Sequence, residues 1–471
     1  MNPPNRPAAW TRARASTLAV IMAISFWPLA GCKAQSESED DPGFNSAIRP
    51  VEGQLAFPGA VGFGAGSHGG RGGKVIAVTT LADSGEGSLR ECVETKGPRV
   101  CVFKVSGIIR FHGRPPIIRE PYLTIAGQTA PAPGITLTHD GGPEARTPLL
   151  IKNTHDIVIR HIRVRNDRAG QKRGSEDAFT IETSDNIILD HVSGSWARDE
   201  LVNGYGDNDR ITISNSLFAQ GIPRHDKCAL LASDPKAPQR VSFIGNLCAH
   251  NGDRNPDMNF PPSSCVEVVN NVFYNAQSEF AEVWASFGGT PVNIVGNNFI
   301  SGPNTSKHAI GIARNVIGAT GDAKVYIWHN MFKGEFVQVG PGVDEVSVDA
   351  PVCPLTVKPL KPASARQRVL ANAGAWPRDS FDRQMAESVR ERRGGIVKVP
   401  GAIPAEMVGR AQSSAPYPDV DRDGMDDDWE RVHHGDPFHY DPWSDSEAKG
   451  ATNLDAFLDY LHRRLAPGAG S

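Results

Sequence analysis

The chain has 471 residues and a formal net charge of -4, so its charge gives no indication of nucleic-acid binding. It contains 48 glycines and 36 prolines but only 7% aromatic residues, a composition typical of many short strands joined by turns. A chain of this length can hold one large domain and one small one.

The first predicted element is an export signal. Three arginines precede an apolar run from Leu18 to Leu29, which is short for a membrane span. The run leads to Leu-Ala-Gly-Cys, which resembles the lipobox of bacterial lipoproteins. We predict a lipoprotein-type signal peptide over residues 1–31, a lipid anchor at Cys32 and a solvated acidic tether over 32–50. The alternative is an ordinary signal peptide cut near Ala34. Either way we expect an exported protein, a bacterial outer-membrane lipoprotein or a secreted one.

Six cysteines follow Cys32, and an even number in an exported chain indicates disulfides. We predict the pair Cys92–Cys101, because these two residues flank a helix-to-strand turn. The remaining pairings stay open. The chain has no C-x-x-C motif, which argues against a zinc site.

The main domain is predicted over residues 51–345. It begins with a glycine-rich segment whose spacing does not fit a dinucleotide fingerprint, so we interpret its glycines as turns. Ser88 and Glu91 then form a capping box that begins a short helix. We expect this helix to cover the first rung of a solenoid, whose strand edges would otherwise be unpaired.

Apolar, alternating segments follow, and each ends in an anchor residue that is Asn or His. The anchors are His161, His191, Asn215, Asn246, Asn271, Asn297 and Asn330. Their loose period indicates an array, and the alternation of β-branched residues indicates strands. One strand per repeat cannot bury its own face, so the repeats must stack. We therefore predict an all-β, right-handed parallel β-helix in which the Asn residues form an internal ladder.

Charged side chains follow successive anchors at comparable intervals. In chain order they are Asp177, then Asp199 and Glu200, then Lys227, and then Arg254. Since rungs stack about 4.8 Å apart, we predict that Asp177 and Asp199 share a cation and that the two bases lie farther along. Such a line suits an anionic chain running along the solenoid. The alternative for each residue is an ordinary solvated turn.

The C-terminal part is predicted as a wrapping segment or linker over 346–415 and a calcium module over 416–465. The text DVDRDGMDDDWE fits the calcium loop D-x-D-x-D-G-x5-E at every defining position. Its predicted ligands are Asp419, Asp421, Asp423, Asp427 and Glu430. The stretch from Asp445 to Asp455 resembles a degenerate second site. An acidic surface loop is the alternative.

From about Phe57 to Asn330 the chain resembles pectate lyase family 1, a family of polysaccharide lyases, in its bacterial branch. The segments that carry the resemblance are FPGAVGFG, GGRGGKV, DSGEGSLRE, LTIAGQTAP, DNIILDH, SW-x-x-DE and DRNP. The resemblance implies calcium-dependent β-elimination of polygalacturonate or a related uronan. It also implies an acidic polysaccharide as the partner, and we expect a monomer.

The resemblance also implies residue roles. Asp177 and Asp199 would bind calcium, with Glu200 as a further ligand or a substrate contact. Lys227 would bind the uronate carboxylate and stabilise the enolate-like intermediate. Arg254, in the R-x-P motif, would be the catalytic base. Because the pKa of arginine exceeds about 12, that role needs a nearby cation or an alkaline optimum. The alternative is that Arg254 polarises the substrate while another group is the base.

Two positions depart from the family pattern. Family members usually carry a carboxylate four residues before the second aspartate, where this chain has Ser195. They also carry a second arginine shortly after R-x-P, where this chain has the segment that begins at Asp257. We predict that Arg224 and His225 contact the substrate and compensate. A non-catalytic carbohydrate-binding solenoid and a glycoside hydrolase of polygalacturonase type, which needs paired carboxylates, stay open as alternatives.

Overall fold

Short parallel strands make up most of the computed structural model, which describes residues 47–139, 147–166, 176–223, 225–318, 321–398, 414–433, 435–446 and 450–466. This described part contains 28 strands in three sheets, which we call A, B and C. Sheet A contains β1 (Lys74–Val78), β2 (Arg99–Phe103), β5 (Leu123–Ala126), β8 (His155–Arg160), β11 (Asp185–Asp190), β14 (Asp209–Ser214), β17 (Arg240–Ile244), β20 (Cys265–Val269), β23 (Pro291–Val295) and β26 (Lys324–Trp328).

The other two sheets contain nine strands each. Sheet B contains β3 (Gly107–Phe111), β6 (Ile135–His139), β9 (Ile162–Arg165), β12 (Ser193–Ser195), β15 (Leu217–Ala219), β18 (Leu247–Ala249), β21 (Val272–Tyr274), β24 (Asn298–Ile300) and β27 (Met331–Lys333). Sheet C contains β4 (Ile117–Ile118), β7 (Leu149–Lys152), β10 (Phe179–Glu182), β13 (Glu200–Tyr205), β16 (Lys227–Ser233), β19 (Asp257–Met258), β22 (Glu279–Trp284), β25 (Ile310–Asn315) and β28 (Val337–Val339).

Successive turns of the chain stack strand on strand, and the interior is filled by columns of like side chains. Ile157, Ile187 and Ile211 occupy one register position on β8, β11 and β14, and all three are buried. β-branched side chains pack well on such a pleated surface, and both faces of a parallel strand are commonly covered. The predicted parallel β-helix is confirmed.

The internal ladder exists, but it contains only the later anchors. Its members are Asn246, Asn271, Asn297 and Asn330. In each step a backbone N–H donates to the side-chain oxygen of the next asparagine, at 2.8 to 2.9 Å. His161, His191 and Asn215 belong to a neighbouring column with positive φ angles. The prediction merged the two columns because Asn and His suit both a hydrogen-bond ladder and a left-handed turn.

A short helix, α1 (Leu89–Glu94), packs its buried face on the first rung, as predicted. The Ser88 hydroxyl accepts a hydrogen bond from the Glu91 N–H at 3.2 Å, whereas the Glu91 carboxylate accepts one from Gly87 rather than from Ser88. The predicted disulfide Cys92–Cys101 is confirmed and joins α1 to β2. The other two disulfides are Cys228–Cys248 and Cys265–Cys353.

Two helices, α2 (Pro362–Asn372) and α3 (Ser380–Glu391), lie along sheet B. Their apolar side chains pack on Trp196 and on strand residues that include Leu217 and Val272. Farther toward the C-terminus the chain forms α4 (Asp427–Val432) and α5 (Asn453–Leu465), which pack on Val100 and Val102 of β2. Among the described residues no helix is long and apolar enough to cross a membrane.

His250 joins the solenoid to α3, and we predict that it makes the fold sensitive to acid. Its Nε2 lies 2.9 Å from the Ser388 hydroxyl, and its Nδ1 accepts from the Asn275 amide at 2.8 Å. Burial lowers the pKa of His250 from 6.5 to about 4. As the pH falls, His250 therefore takes up a proton at a higher pH in the unfolded chain than in the folded one. The contribution of neutral His250 to the free energy of unfolding is complete above about pH 6.5. It is lost as the pH falls toward about 4, by about 1.4 kcal/mol per pH unit.

Urea unfolding midpoints measured across this pH range test the prediction. His250→Gln is expected to show a shallower dependence on pH than the wild type, because its side chain takes up no proton. The exposed His308→Gln is the matched control and should keep the wild-type slope. Equal slopes for wild type and His250→Gln would contradict the assignment.

Candidate active site

The predicted column of charged residues lies where the chain turns from sheet B into sheet C. Glu200 and Lys227 begin β13 and β16 and are direct parallel partners. Asp177 lies two residues before β10, and the pairing of β10 with β13 puts it in register with Glu200. Glu200, and not Asp199, therefore continues the column that starts at Asp177.

An acidic group forms beside this column. Asp199, Glu200 and His225 each offer one ligand atom, and these atoms lie within 4.8 Å of one another. His225 Nδ1 bonds the Asp199 carboxylate and lies 3.9 Å from the Glu200 carboxylate. Burial and the neighbouring Asp199 raise the pKa of Glu200. Carboxylates this close repel each other when both are ionised, so the group favours a shared proton or a bound cation.

Asp177 differs from the prediction, because its oxygens are not in this ligand group. It is 4% exposed and accepts hydrogen bonds from the Thr180 hydroxyl at 2.6 Å, the Asn203 amide at 3.1 Å and the Glu200 N–H at 3.1 Å. Burial raises the pKa of Asp177 to about 7. Asp177 therefore contacts Glu200 through the Glu200 N–H, while Asp199 groups with Glu200 and His225.

Arg254 lies against carboxylates. Its guanidinium forms an ion pair with Glu200, and its Nε lies 3.4 Å from an oxygen of Asp257. Burial by itself lowers the pKa of Arg254, but the charges of Glu200, Asp257 and Glu282 outweigh burial, and the net pKa is raised. Arg254 is therefore held as a cation in this arrangement.

The sequence prediction missed three acidic residues, namely Asp253, in register with Lys227, and Glu279 and Glu282 on the next rung. Asp253, Glu279 and Glu282 form a second group with ligand atoms within 4.8 Å of one another. Asp253 forms an ion pair with Lys227, and burial raises the pKa of Glu282 to about 7. A signal was available, because the interval from a ladder asparagine to Arg254 recurs on the next rung and ends at Glu279.

Ser195, where the family pattern has a carboxylate, lies at the end of β12 in sheet B and not with Glu200 at the start of β13. Ser195 is fully buried on β12 of sheet B, and its hydroxyl donates to the Gly194 carbonyl at 2.7 Å. The polar position that faces Asp177 is Asn203, four residues after Asp199, and its Oδ1 is buried with no partner among the described residues.

The structure describes only one of the two residues that are predicted to compensate for the missing second arginine. Arg224 lies outside the described residues. His225 belongs to the acidic group, while its ring stays about half exposed beside it. Asp257 occupies the segment where the second arginine is expected, and burial and Glu282 raise its pKa well above the ordinary value. This part of the site is therefore acidic rather than basic.

The C-terminal loop brings together four of its five predicted calcium ligands. Asp419, Asp421 and Asp423 form one group of ligand atoms within 4.8 Å, and Asp423 also groups with Glu430. Burial and mutual repulsion raise the pKa of Asp423 to about 7 and that of Glu430 to about 8. The fifth, Asp427, is in neither group. In the predicted second site, Asp455 instead caps α5 and pairs with Arg71.

Three buried histidines form a further cluster where α5 meets the solenoid. His161 Nδ1 accepts from the Trp376 N–H at 3.1 Å, so its Nε2 carries the proton and points at His462 Nδ1, 3.0 Å away. His191 Nδ1 lies 2.7 Å from Asp190. The Nε2 of His191 is buried with no hydrogen-bond partner among the described residues, so these hydrogen bonds satisfy only part of the cluster.

The fold and the site place the protein in the class of parallel β-helix proteins, with acidic and basic side chains aligned across consecutive rungs. No family model matches the chain. The chain is 35% identical over 421 residues to the probable pectate lyase C of Aspergillus flavus, a match that covers 86% of this chain and 94% of that one. It is 34% identical over 435 residues to the probable pectate lyase C of Aspergillus fumigatus, covering 89% and 96%.

The chain therefore belongs to the pectate lyase family, and it is a polysaccharide lyase. Among solved structures, jun a 1, the major allergen from cedar pollen, is similar with a TM-score of 0.49 and 20% identity, covering 67% of this chain and 92% of that chain. A likeness at this level carries no argument about the site.

Proposed function

We propose that this enzyme cleaves pectate, or a related uronan, by calcium-dependent β-elimination to unsaturated products. The proposal rests on one observation, which is the spatial order of acidic and basic side chains across the rungs. These side chains lie at the start of β13 and β16 and before β19. Acids there can hold a cation, and bases next to them can hold the carboxylates of a polymer lying across the rungs.

The acidic group fits calcium. Calcium prefers oxygen ligands, above all carboxylates, and Asp199 and Glu200 supply carboxylate oxygens close together. Asp177 would support them from behind as an outer ligand or hydrogen-bond partner. His225 is a nitrogen donor, and we propose that it orients Asp199 and contacts the substrate. When bound, calcium would neutralise the uronate carboxylate and make the neighbouring C5 proton more acidic.

Lys227 and Arg254 would act on the substrate directly. Lys227 would exchange its ion pair with Asp253 for the uronate carboxylate and stabilise negative charge as it develops there. To take the C5 proton, Arg254 would first have to release one of its own protons to solvent, since a guanidinium has no acceptor. Neutralising the charge of Glu200, the strongest of the charges that raise the pKa of Arg254, would favour that release. The glycosidic oxygen at C4 then leaves with the bonding electrons. Polarisation by Arg254, with another group as base, is the alternative.

One assay tests the proposal against its alternatives. Purified protein is incubated with polygalacturonate and calcium, and the ultraviolet absorbance of unsaturated uronides is followed. We expect a rise that a chelator abolishes. Reducing ends without that absorbance would indicate a polygalacturonase-type hydrolase instead. The absence of any product across a panel of uronans would contradict the proposed reaction and favour a carbohydrate-binding solenoid.

The remaining predictions join this proposal. We propose that residues 416–465 form an EF-hand-like module that binds a structural calcium through Asp419, Asp421, Asp423 and Glu430, with Asp427 shaping the loop. The proposed catalytic domain is 51–345, and 346–415 is the wrapping segment. We propose a monomer that works outside the cell. The export signal and the lipid anchor at Cys32 lie outside the described residues, and the bacterial branch stays a prediction, since the relatives named above are fungal.

A further inference from the structure

A carboxylate from outside the C-terminal loop belongs to the same acidic cluster. Asp423, Glu430 and Asp441 offer ligand atoms within 4.8 Å of one another. Asp441 lies beyond the end of α4, in the segment that leads to α5. We propose that Asp441 is a ligand of the calcium ion, which therefore joins the loop to the segment before α5. This inference rests on the proposed calcium module.

The cluster contains buried oxygens that need a partner. Asp423 is fully buried, and Glu430 is 1% exposed. Both carboxylate oxygens of Glu430 and one oxygen each of Asp419, Asp421 and Asp423 are buried without a hydrogen-bond partner in the described part of the chain. Burying unpaired carboxylate oxygens is costly, so buried charges are normally paired or bind a metal. A divalent cation with oxygen ligands supplies the missing partner to all of them at once.

Asp441 takes the place that the motif assigns to Asp427. The Oδ1 of Asp427 accepts a hydrogen bond from the Val420 N–H at 2.9 Å, and its own N–H donates to the Pro418 carbonyl at 3.1 Å. Asp427 is thereby committed to the entry of the loop. Asp441 is the acid that closes the group of Asp423 and Glu430, and this position is invisible to a motif that ends at Glu430.

A cation held by Asp441 would connect the end of the chain to the start of the solenoid. The Trp443 indole, two residues on, donates to the Gly73 carbonyl at 2.9 Å, next to β1. On the other side of the cluster, Lys104 of the solenoid lies 2.9 Å from an oxygen of Asp419. The ion would thus be bound by the loop that contains Asp419 and by the segment that contains Asp441, and each of these contacts the first rungs.

Calcium titration calorimetry on the full chain tests the inference. The measurement uses an Asp199→Asn background, which removes a ligand of the proposed active-site calcium. Asp441→Asn is expected to weaken calcium binding by about tenfold or more, because calcium affinity follows the charge and number of its ligands. The variant keeps an acceptor for the Asn453 amide, 3.2 Å from Asp441 Oδ1, so the local fold is preserved.

Asp428→Asn is the matched control, since it removes the same charge from a side chain that is 79% exposed on α4. It should bind calcium within about twofold of the parent. If Asp441→Asn binds like the parent while Asp423→Asn does not bind, the loop closes its own site and the inference is overturned, although the module stands. If the parent itself binds no calcium, the proposed module fails. Hydrogen exchange of residues 441–446 that slows on calcium addition in the parent, but not in Asp441→Asn, is a second expected result.

Discussion

Replacing Arg254 by alanine is expected to lower kcat on polygalacturonate by about 10²- to 10⁴-fold, the usual contribution of a positioned proton-transfer group. Arg254 contacts the acidic group through Glu200, whereas Lys227 pairs with Asp253. Its removal takes away both the proposed proton acceptor and the positive charge facing the substrate. Initial rates of unsaturated-product formation at saturating calcium and substrate give the measurement.

Alanine at this position also leaves Glu200 and Asp257 without their cation, so stability must be followed separately. Arg254→Lys keeps a positive charge beside Glu200 and should melt near the wild-type temperature while losing most of its activity, because lysine cannot reproduce the planar guanidinium. Arg240→Ala, at an arginine that is 51% exposed and paired with Asp209, is the control and should stay fully active. Near-normal turnover by folded Arg254→Ala would remove the proposed mechanism.

The fold could be predicted because its information is local and repeated. Each rung carries the alternation of apolar residues that defines a strand, and a parallel stack is the arrangement that buries all of them. The predicted ladder wrongly included His161, His191 and Asn215, which belong to the neighbouring column of left-handed turns. Both columns accept polar residues that are adjacent in the sequence. That error did not affect the fold, because either column has the same period.

The site was less predictable because its chemistry depends on a shift of one residue. Choosing between Asp199 and Glu200 as the residue in register with Asp177 needs the strand pairing, which intervals between anchors do not resolve. Ser195 belongs to sheet B because the chain passes from sheet B to sheet C only after this residue. The four-residue separation from Asp199 does not show where that turn lies. Asp441 lies beyond the end of its motif altogether.

The largest effect on stability is expected at a buried ion cluster that holds α3 on sheet B. Arg163 and Arg165 of β9 are each 1% exposed and face Asp379 and Asp382. Asp382 Oδ1 accepts from Arg165 at 2.7 Å, and its other oxygen accepts from the Ser193 hydroxyl at 2.7 Å. Asp382→Ala would leave two buried guanidinium groups with one carboxylate between them. We expect a loss of about 3–5 kcal/mol, which is typical of breaking a buried pair from one side.

The urea midpoint of the variant, compared with that of Glu387→Ala on the same helix, gives the measurement. Glu387 is 44% exposed and pairs with Arg390 at 3.0 Å, so its removal should cost no more than about 1 kcal/mol. Both substitutions delete one acidic side chain from α3, and they differ in whether a cation is left buried without a partner. If the two variants unfold at the same urea concentration, the ion cluster does not hold the helix. The apolar contacts of α2 and α3 with sheet B would then be sufficient to attach the segment to the solenoid.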